Sequence, residues 1–281
     1  MPERGIDTTS TTGTGAAGGD DRAGWPFDLV APPGIEWGMQ LAVRYDKLRP
    51  ATHLEVCAAA ARAVVRLLAD PRSVDGGPWA PYVRRWRRGR IRKLVRRARG
   101  IRWEEVQTLP GVTVAEGPGG RAQVRAFVPA PVRPLPPALD KLQVSGTQFP
   151  SRVPGDGTVD DAVDDDLDDD LRHDSREGHP DDAADAPTDP PTVVTIALTP
   201  YAALSTGKAA AQAGHAAQLA WEHQRRSDPA MARRWLADDA RVAVIVPDER
   251  GWRRASGAPV RVIDAGLTEV EGPTESARAW W

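Results

Sequence analysis

"GVTVAEGP", residues 111–118, returns 155 positions later as "GLTEVEGP", residues 266–273. A second landmark keeps nearly the same spacing. "VRYDKL" (43–48) and "LTPYAAL" (198–204) match around Tyr45 and Tyr201, 156 positions apart. Each tyrosine follows an apolar run and precedes an alanine-rich stretch. The two matches read as a tandem duplication, with one copy at 37–149 and the other at 192–281.

The elements around these landmarks alternate between strand and helix. In the first copy, "MQLAVR" (39–44) reads as a strand. "THLEVCAAAARAVVRLLA" (52–69) reads as a helix, with Thr52 as N-cap and Glu55 three residues on. The basic stretch from about residue 80 is expected to be mostly helical. Two short strands follow within 111–128, and "ALDKLQV" closes the copy. In the second copy, "VVTIAL" (193–198), "RVAVIV" (241–246) and "PVRVID" (259–264) are apolar runs of strand length. A helix beginning near Gly207 and a second over 229–238 separate them, and "SARAWW" is a last strand. Strands separated by helices predict an α/β fold: tandem α/β/α sandwich domains, each around a small mixed four-stranded sheet.

The remaining segments are polar. Residues 1–36 form a Gly/Thr/Ser-rich tail and a proline-broken strap. Residues 150–191 are an acidic linker expected to be disordered, since few large apolar side chains are present to offset ordering entropy. The single cysteine, Cys57, excludes an internal disulfide frame and makes a reducing cytoplasm the expected compartment. No secretory signal is evident, and no apolar run reaches the ~20 residues of a membrane span. No Cys/His cluster has zinc spacing, so no metal is expected. "TGK" lacks the Gly at 202 and Ser/Thr at 209 that a phosphate-binding P-loop needs, and there is no G-x-S-x-G elbow.

Within "STGKAAAQAGHAAQLAW" (205–221), Lys208, Gln212 and His215 interrupt the alanines. At about 100° per residue the three fall within roughly 40° of one another on one helix face. Lys208 sits in the first turn, where the helix dipole disfavours a cation, so an anionic ligand shared with the helix N-terminus is expected. It is also one of only four lysines, against thirty-seven cations in all. At the repeat offsets Lys208 faces Thr52, Gln212 faces Val56, His215 faces Ala59 and Asp264 faces Leu109. The polar set thus belongs to the second copy alone.

"GKAAAQAGHAA" (207–217) followed by "VIDAGLTEVEGP" (262–273) resembles the type II, archaeal and eukaryotic, peptidyl-tRNA hydrolase family, with Glu269 where that family has Gln. The resemblance covers 193–281, and the first copy resembles the family more faintly through "FVPAPVRPLPPALDKLQ" (127–143). It implies an α/β/α sandwich and cofactor-free hydrolysis of the ester joining a peptide to tRNA. The implied catalytic residues are Lys208, His215, Asp264 and Thr268, with Gln212 and Gly207 binding substrate. The chain is then a pseudo-dimer whose first copy holds tRNA.

Charge points to the same partner. Residues 84–102 carry ten arginines and Lys93, with Trp86 among them. Arg87, Arg88, Lys93, Arg96 and Trp86 are the expected RNA contacts, through phosphate neutralisation and stacking. The Asp-rich run 156–170 is a candidate mimic of RNA folding back onto the arginines, or a plain spacer.

Overall fold

A computed structural model describes residues 34–152, 191–265, 269 and 272–281. The N-terminal tail, the acidic run and Thr268 lie outside the described residues. The first half contains β1 (Trp37–Arg44), α1 (His53–Ala69), α2 (Ala80–Arg87), β2 (Arg92–Ala98), α3 (Ile101–Gln107), β3 (Gly111–Glu116), β4 (Ala122–Phe127), β5 (Ala130–Pro131) and α4 (Pro137–Asp140). The second contains β6 (Val194–Leu198), α5 (Thr206–Ser227), α6 (Pro229–Ala237), β7 (Val242–Ile245), α7 (Glu249–Arg254), β8 (Val260–Asp264) and β9 (Thr274–Trp280).

Two mixed sheets result, with orders β2-β1-β4-β3 and β7-β6-β9-β8; β5 adds a short strand beside β1. In each sheet the first pair is parallel and the other two are antiparallel. The chain is a tandem α/β protein whose halves share one topology.

Pairing register fixes which residues correspond. Leu41 pairs with Val95 and Ala126, and Val112 also pairs with Ala126. Ile196 pairs with Val244 and Ala279, and Val260 also pairs with Ala279. Val112 therefore matches Val260, and four residues further on Glu116 matches Asp264. The helix N-caps, Thr52 and Ser205, match as well. This replaces the register read from "GVTVAEGP" and "GLTEVEGP". The first is β3 itself, whereas the second begins after β8 has ended.

A shorter repeat marks the true register. Arg-Arg-Trp occurs at 84–86 and again at 233–235. Trp86 and Trp235 are both fully buried, and each donates its indole N–H to a carbonyl six residues on, Arg92 O (3.1 Å) and Arg241 O (2.7 Å). The residues before those carbonyls, Ile91 (φ 46°) and Ala240 (φ 53°), both take the left-handed turn that leads into the parallel strand. Two non-glycine residues in that sparsely populated region show the same local solution used twice.

The basic block is not one helix. Helix α2 stops at Arg87 and residues 92–98 form edge strand β2 beside β1. Its alternate residues Lys93 and Val95 turn toward α5 and the main core. Arg96 and Ala98 turn to the opposite face. A two-residue period on a buried sheet edge thus overrides arginine's helix preference.

Helices α1 and α5 lie against each other, and small residues let them do so. Ala59, Ala60, Ala61, Ala63, Ala209, Ala210, Ala213 and Ala216 are fully buried. His53 meets Thr206 at the two helix starts and Val64 lies beside Gly214 further along, so the helices run in the same direction. A Cβ on Gly214 would come within 3.2 Å of both Val64 and Lys93. The inward residues of both sheets join one apolar cluster around this helix pair, so the halves share a core. The outer faces differ. Trp103, Val106, Phe127 and Leu139 form a second cluster on the first sheet, whereas Ile263 stays 59% exposed on the second.

Candidate active site

Ser205 caps α5 by accepting the Lys208 N–H at 3.2 Å. The Lys208 side chain runs to β8, where its Nζ lies 2.5 Å from Asp264 Oδ2. Gln212, one turn on, donates to the same oxygen at 2.5 Å and accepts from Ser276 Oγ at 2.9 Å. Ser276 is fully buried at a register shift between β8 and β9, and that bulge turns its hydroxyl inward to the amide. An ammonium, a carboxylate, an amide and a hydroxyl thus form one chain of hydrogen bonds. Asp264 is 8% exposed and Gln212 5%, so each depends on the others for its polar partners.

The counter-charge of Lys208 is Asp264, and the start of α5 is closed by the protein itself. Glu269 accepts the Ser205 N–H at 2.8 Å and the Ser205 hydroxyl at 2.5 Å. The Thr206 N–H goes to Gln148 Oε1 (3.1 Å) and the Gly207 N–H to Thr147 O (3.0 Å). With Lys208 N–H on Ser205, all four first-turn donors are met internally, which displaces the anion expected there. Gly207 correspondingly serves packing: a Cβ would stand 3.2 Å from the Thr147 side chain. Glu269, at the position where the resemblance expects Gln, is the carboxylate that completes this cap.

His215 faces the other half of the molecule. Its Nδ1 lies 3.1 Å from Lys93 Nζ, which also donates to Gln218 Oε1 at 2.5 Å. As an ammonium Lys93 can only donate, and in that state it sets His215 as the Nε2–H tautomer. Burial, the Lys93 charge and the Lys208 charge hold the imidazole pKa well below its ordinary value. Burial also lowers Lys93 to about 7, against an opposing pull from Glu222 and a supporting push from Arg87. Paired with that ammonium, the neutral imidazole presents its Nε2–H as a donor.

Most of the expected RNA contacts are spent inside the fold. Trp86 is buried under β2. Lys93 stands 5.1 Å over its ring and is 8% exposed. Arg96 is 6% exposed, donating to Gln40 Oε1 (2.9 Å) and to Leu142 O (3.2 Å). Arg87 Nε pairs with Glu222 at 3.3 Å. Arg88 is exposed, but it lines a hollow at the amino end of β1 and β2, remote from the carboxyl ends where α5 begins. Thr268 lies outside the described residues. The signal for burial was the alternation within 92–98, hidden by the density of arginine.

Among the described residues no group of His, Cys, Asp and Glu is arranged to hold a metal ion. No helix there is long and apolar enough to cross a membrane. No protein-family model, curated protein or solved structure matches this chain.

Proposed function

We propose that the second half hydrolyses the ester between a peptide and the 3′-terminal ribose of tRNA. The observation that carries this reading is the convergence of Lys208 and Asp264 at 2.5 Å, with Gln212 on the same carboxylate oxygen. The sequence resemblance supplies the substrate class. In the structure the ammonium and carboxylate neutralise each other. An ester carbonyl entering beside Lys208 competes for the ammonium, and the released carboxylate takes a proton from water. The water oxygen bonds to the carbonyl carbon, and Lys208 meets the charge that develops on the carbonyl oxygen. Collapse breaks the bond to the ribose oxygen, which takes the proton. Gln212 and Ser276 position Asp264, and the His215 Nε2–H is a donor for the substrate's polar groups.

The test is release of free tRNA from an N-acetyl-aminoacyl-tRNA by the purified chain. Lys208→Met and Asp264→Asn are each expected to lower kcat by about 10²–10³-fold. Undiminished turnover in Lys208→Met overturns the reading. One observation favours a second reading, a tRNA-binding protein without turnover: Glu269, Gln148 and Thr147 already occupy the donors at the start of α5. Binding of tRNA with no release by the wild-type chain would select it.

A further inference from the structure

A groove of about 360 Å³ opens where β1 and β2 end, lined by Lys47, Arg97, Arg99, Arg102, Lys141 and Tyr45. Among the described residues no carboxylate lines it. Among the described residues Arg102 has only Glu105, at 3.9 Å, and no carboxylate comes within ion-pairing distance of Lys47, Arg97, Arg99 or Lys141. The Arg97 guanidinium lies 4.9 Å from the Tyr45 ring centroid. The hollow at the other end of the same strands is also arginine-rich, but there Glu36 pairs with Arg90 and Arg92. Like charges gathered without a counter-charge repel one another, so a surface of this kind gains most from a polyanion. Guanidinium forks suit phosphate oxygens in particular.

The groove also has a direction. Leu48, Ile101 and Val144, neighbours in sequence of its lining, are 92%, 71% and 46% exposed. Gln143 forms one wall, and the same segment runs on to cap α5. Thr147 O takes the Gly207 N–H, and the Phe149 N–H goes to Thr206 Oγ1 at 3.0 Å. The Phe149 ring packs against Tyr45 at 5.5 Å. Because α1 and α5 run together, the carboxyl ends of β1 and β6 lie on the same side of the molecule. The groove and the Lys208–Asp264 pair therefore share that side, and segment 143–149 runs from the groove to the start of α5.

We propose that this groove of the first half binds the phosphate backbone of RNA and leads a strand toward Lys208 and Asp264. The choice of RNA rests on the function proposed above; the site itself rests on the charge and the shape. It replaces Trp86, Lys93 and Arg96, which are buried, with residues that are not.

The experiment measures affinity of the full chain for unacylated tRNA by fluorescence anisotropy over a salt series. The triple variant Arg99→Glu, Arg102→Glu, Lys141→Glu is expected to bind at least ~10-fold more weakly at low salt. Its log–log salt slope should shrink by about 2–3 in magnitude. A charge-matched variant away from the groove, Arg84→Glu, Arg90→Glu, Arg226→Glu, should stay within about 3-fold of wild type. Equal circular dichroism and melting of both variants exclude misfolding as the cause. An unchanged slope in the groove variant, an equal loss in the control, or competition by polyaspartate as strong as by RNA would each overturn the proposal. Hydrolysis separates the two claims. Groove-dependent binding with no turnover sinks the proposed reaction and leaves the groove standing. Turnover of sub-saturating substrate that the groove variant does not slow sinks the groove and leaves the reaction standing.

Discussion

The two halves place different chemistry on the same scaffold positions. Counting from the N-caps, Lys208 occupies the position of Glu55, Gln212 that of Ala59 and His215 that of Arg62; strand register sets Asp264 against Glu116. In the first half Glu55 completes a capping box with Thr52 and is held by Arg121. Arg62 joins Glu116 to Asp239 of the second half. Every charge there is paired within the fold, Asp239 also by Arg66, and the result is a bolt between halves. In the second half the charge at the third helical position is reversed, and Lys208 reaches to the strand carboxylate instead. An acid at the start of a helix stabilises it, whereas a cation there does not. Lys208 therefore costs the helix something that Glu55 contributes. The comparison corrects the expectation that the first half lacks a polar set: it has one, wired for structure.

The sharpest break of this comparison is to exchange its terms. Lys208→Glu, which copies the first half, should abolish the proposed tRNA release, a loss of at least ~10³-fold, since it sets two carboxylates together where the proposed reaction develops an oxyanion. Glu55→Ala should leave kcat within about 2-fold of wild type and destabilise by ~1–2 kcal/mol through loss of the capping box, read by urea denaturation.

Next in size is the bolt. Arg62→Met leaves Glu116 and Asp239 without their shared cation and is expected to destabilise by ~2–4 kcal/mol. His215→Gln, at the matching position, should cost less than ~1.5 kcal/mol, since a neutral donor replaces a neutral donor. Equal losses at the two positions would break the contrast.

The Arg-Arg-Trp repeat predicts equality instead. Trp86→Phe and Trp235→Phe each lose an indole hydrogen bond and part of a buried ring, about 2 kcal/mol apiece by chemical denaturation. A difference greater than ~1 kcal/mol would show that the two turns are not equivalent in energy.

The smallest effect is in pH. Lys93 is lowered from its ordinary 10.5 to about 7 in the folded chain. Between those values the unfolded chain holds more protons, so stability rises with pH from about 7 toward 9, where Cys57, whose thiol burial pushes up, begins to act in the opposite sense. His215, also lowered, removes stability as pH falls below its ordinary 6.5. Melting of Lys93→Met should be flatter between pH 7 and 9 than wild type by a few degrees, about the scale of a 1 kcal/mol change. An unchanged slope would place the charge elsewhere.

Much of this could be read in the chain. Helical period placed Lys208 and Gln212 on one face, and Thr52 and Glu55 announced the cap of α1. The apolar runs located seven of the strands to within a few residues. The repeat was visible, but its register was misread. The eight residues 266–273 imitate the sequence of β3 and the turn after it, whereas the turn that truly recurs is marked by Arg-Arg-Trp. Strand β2 was missed because arginine density masked a two-residue period, and α7 because "ERGWRR" (249–254) is short and carries a glycine.

By itself the sequence determined most of the element types, the doubling of the scaffold and the face shared by Lys208 and Gln212, because each follows from spacing along a few neighbouring turns. Only the tertiary structure decided that Asp264 neutralises Lys208, that Thr147 and Gln148 close α5, and that Lys93 of one half sets the tautomer of His215 in the other. Those contacts join residues from separate elements and, in the last case, separate halves. They exist because the small side chains of α1 and α5 let two sheets press onto one core, a condition that no local pattern encodes.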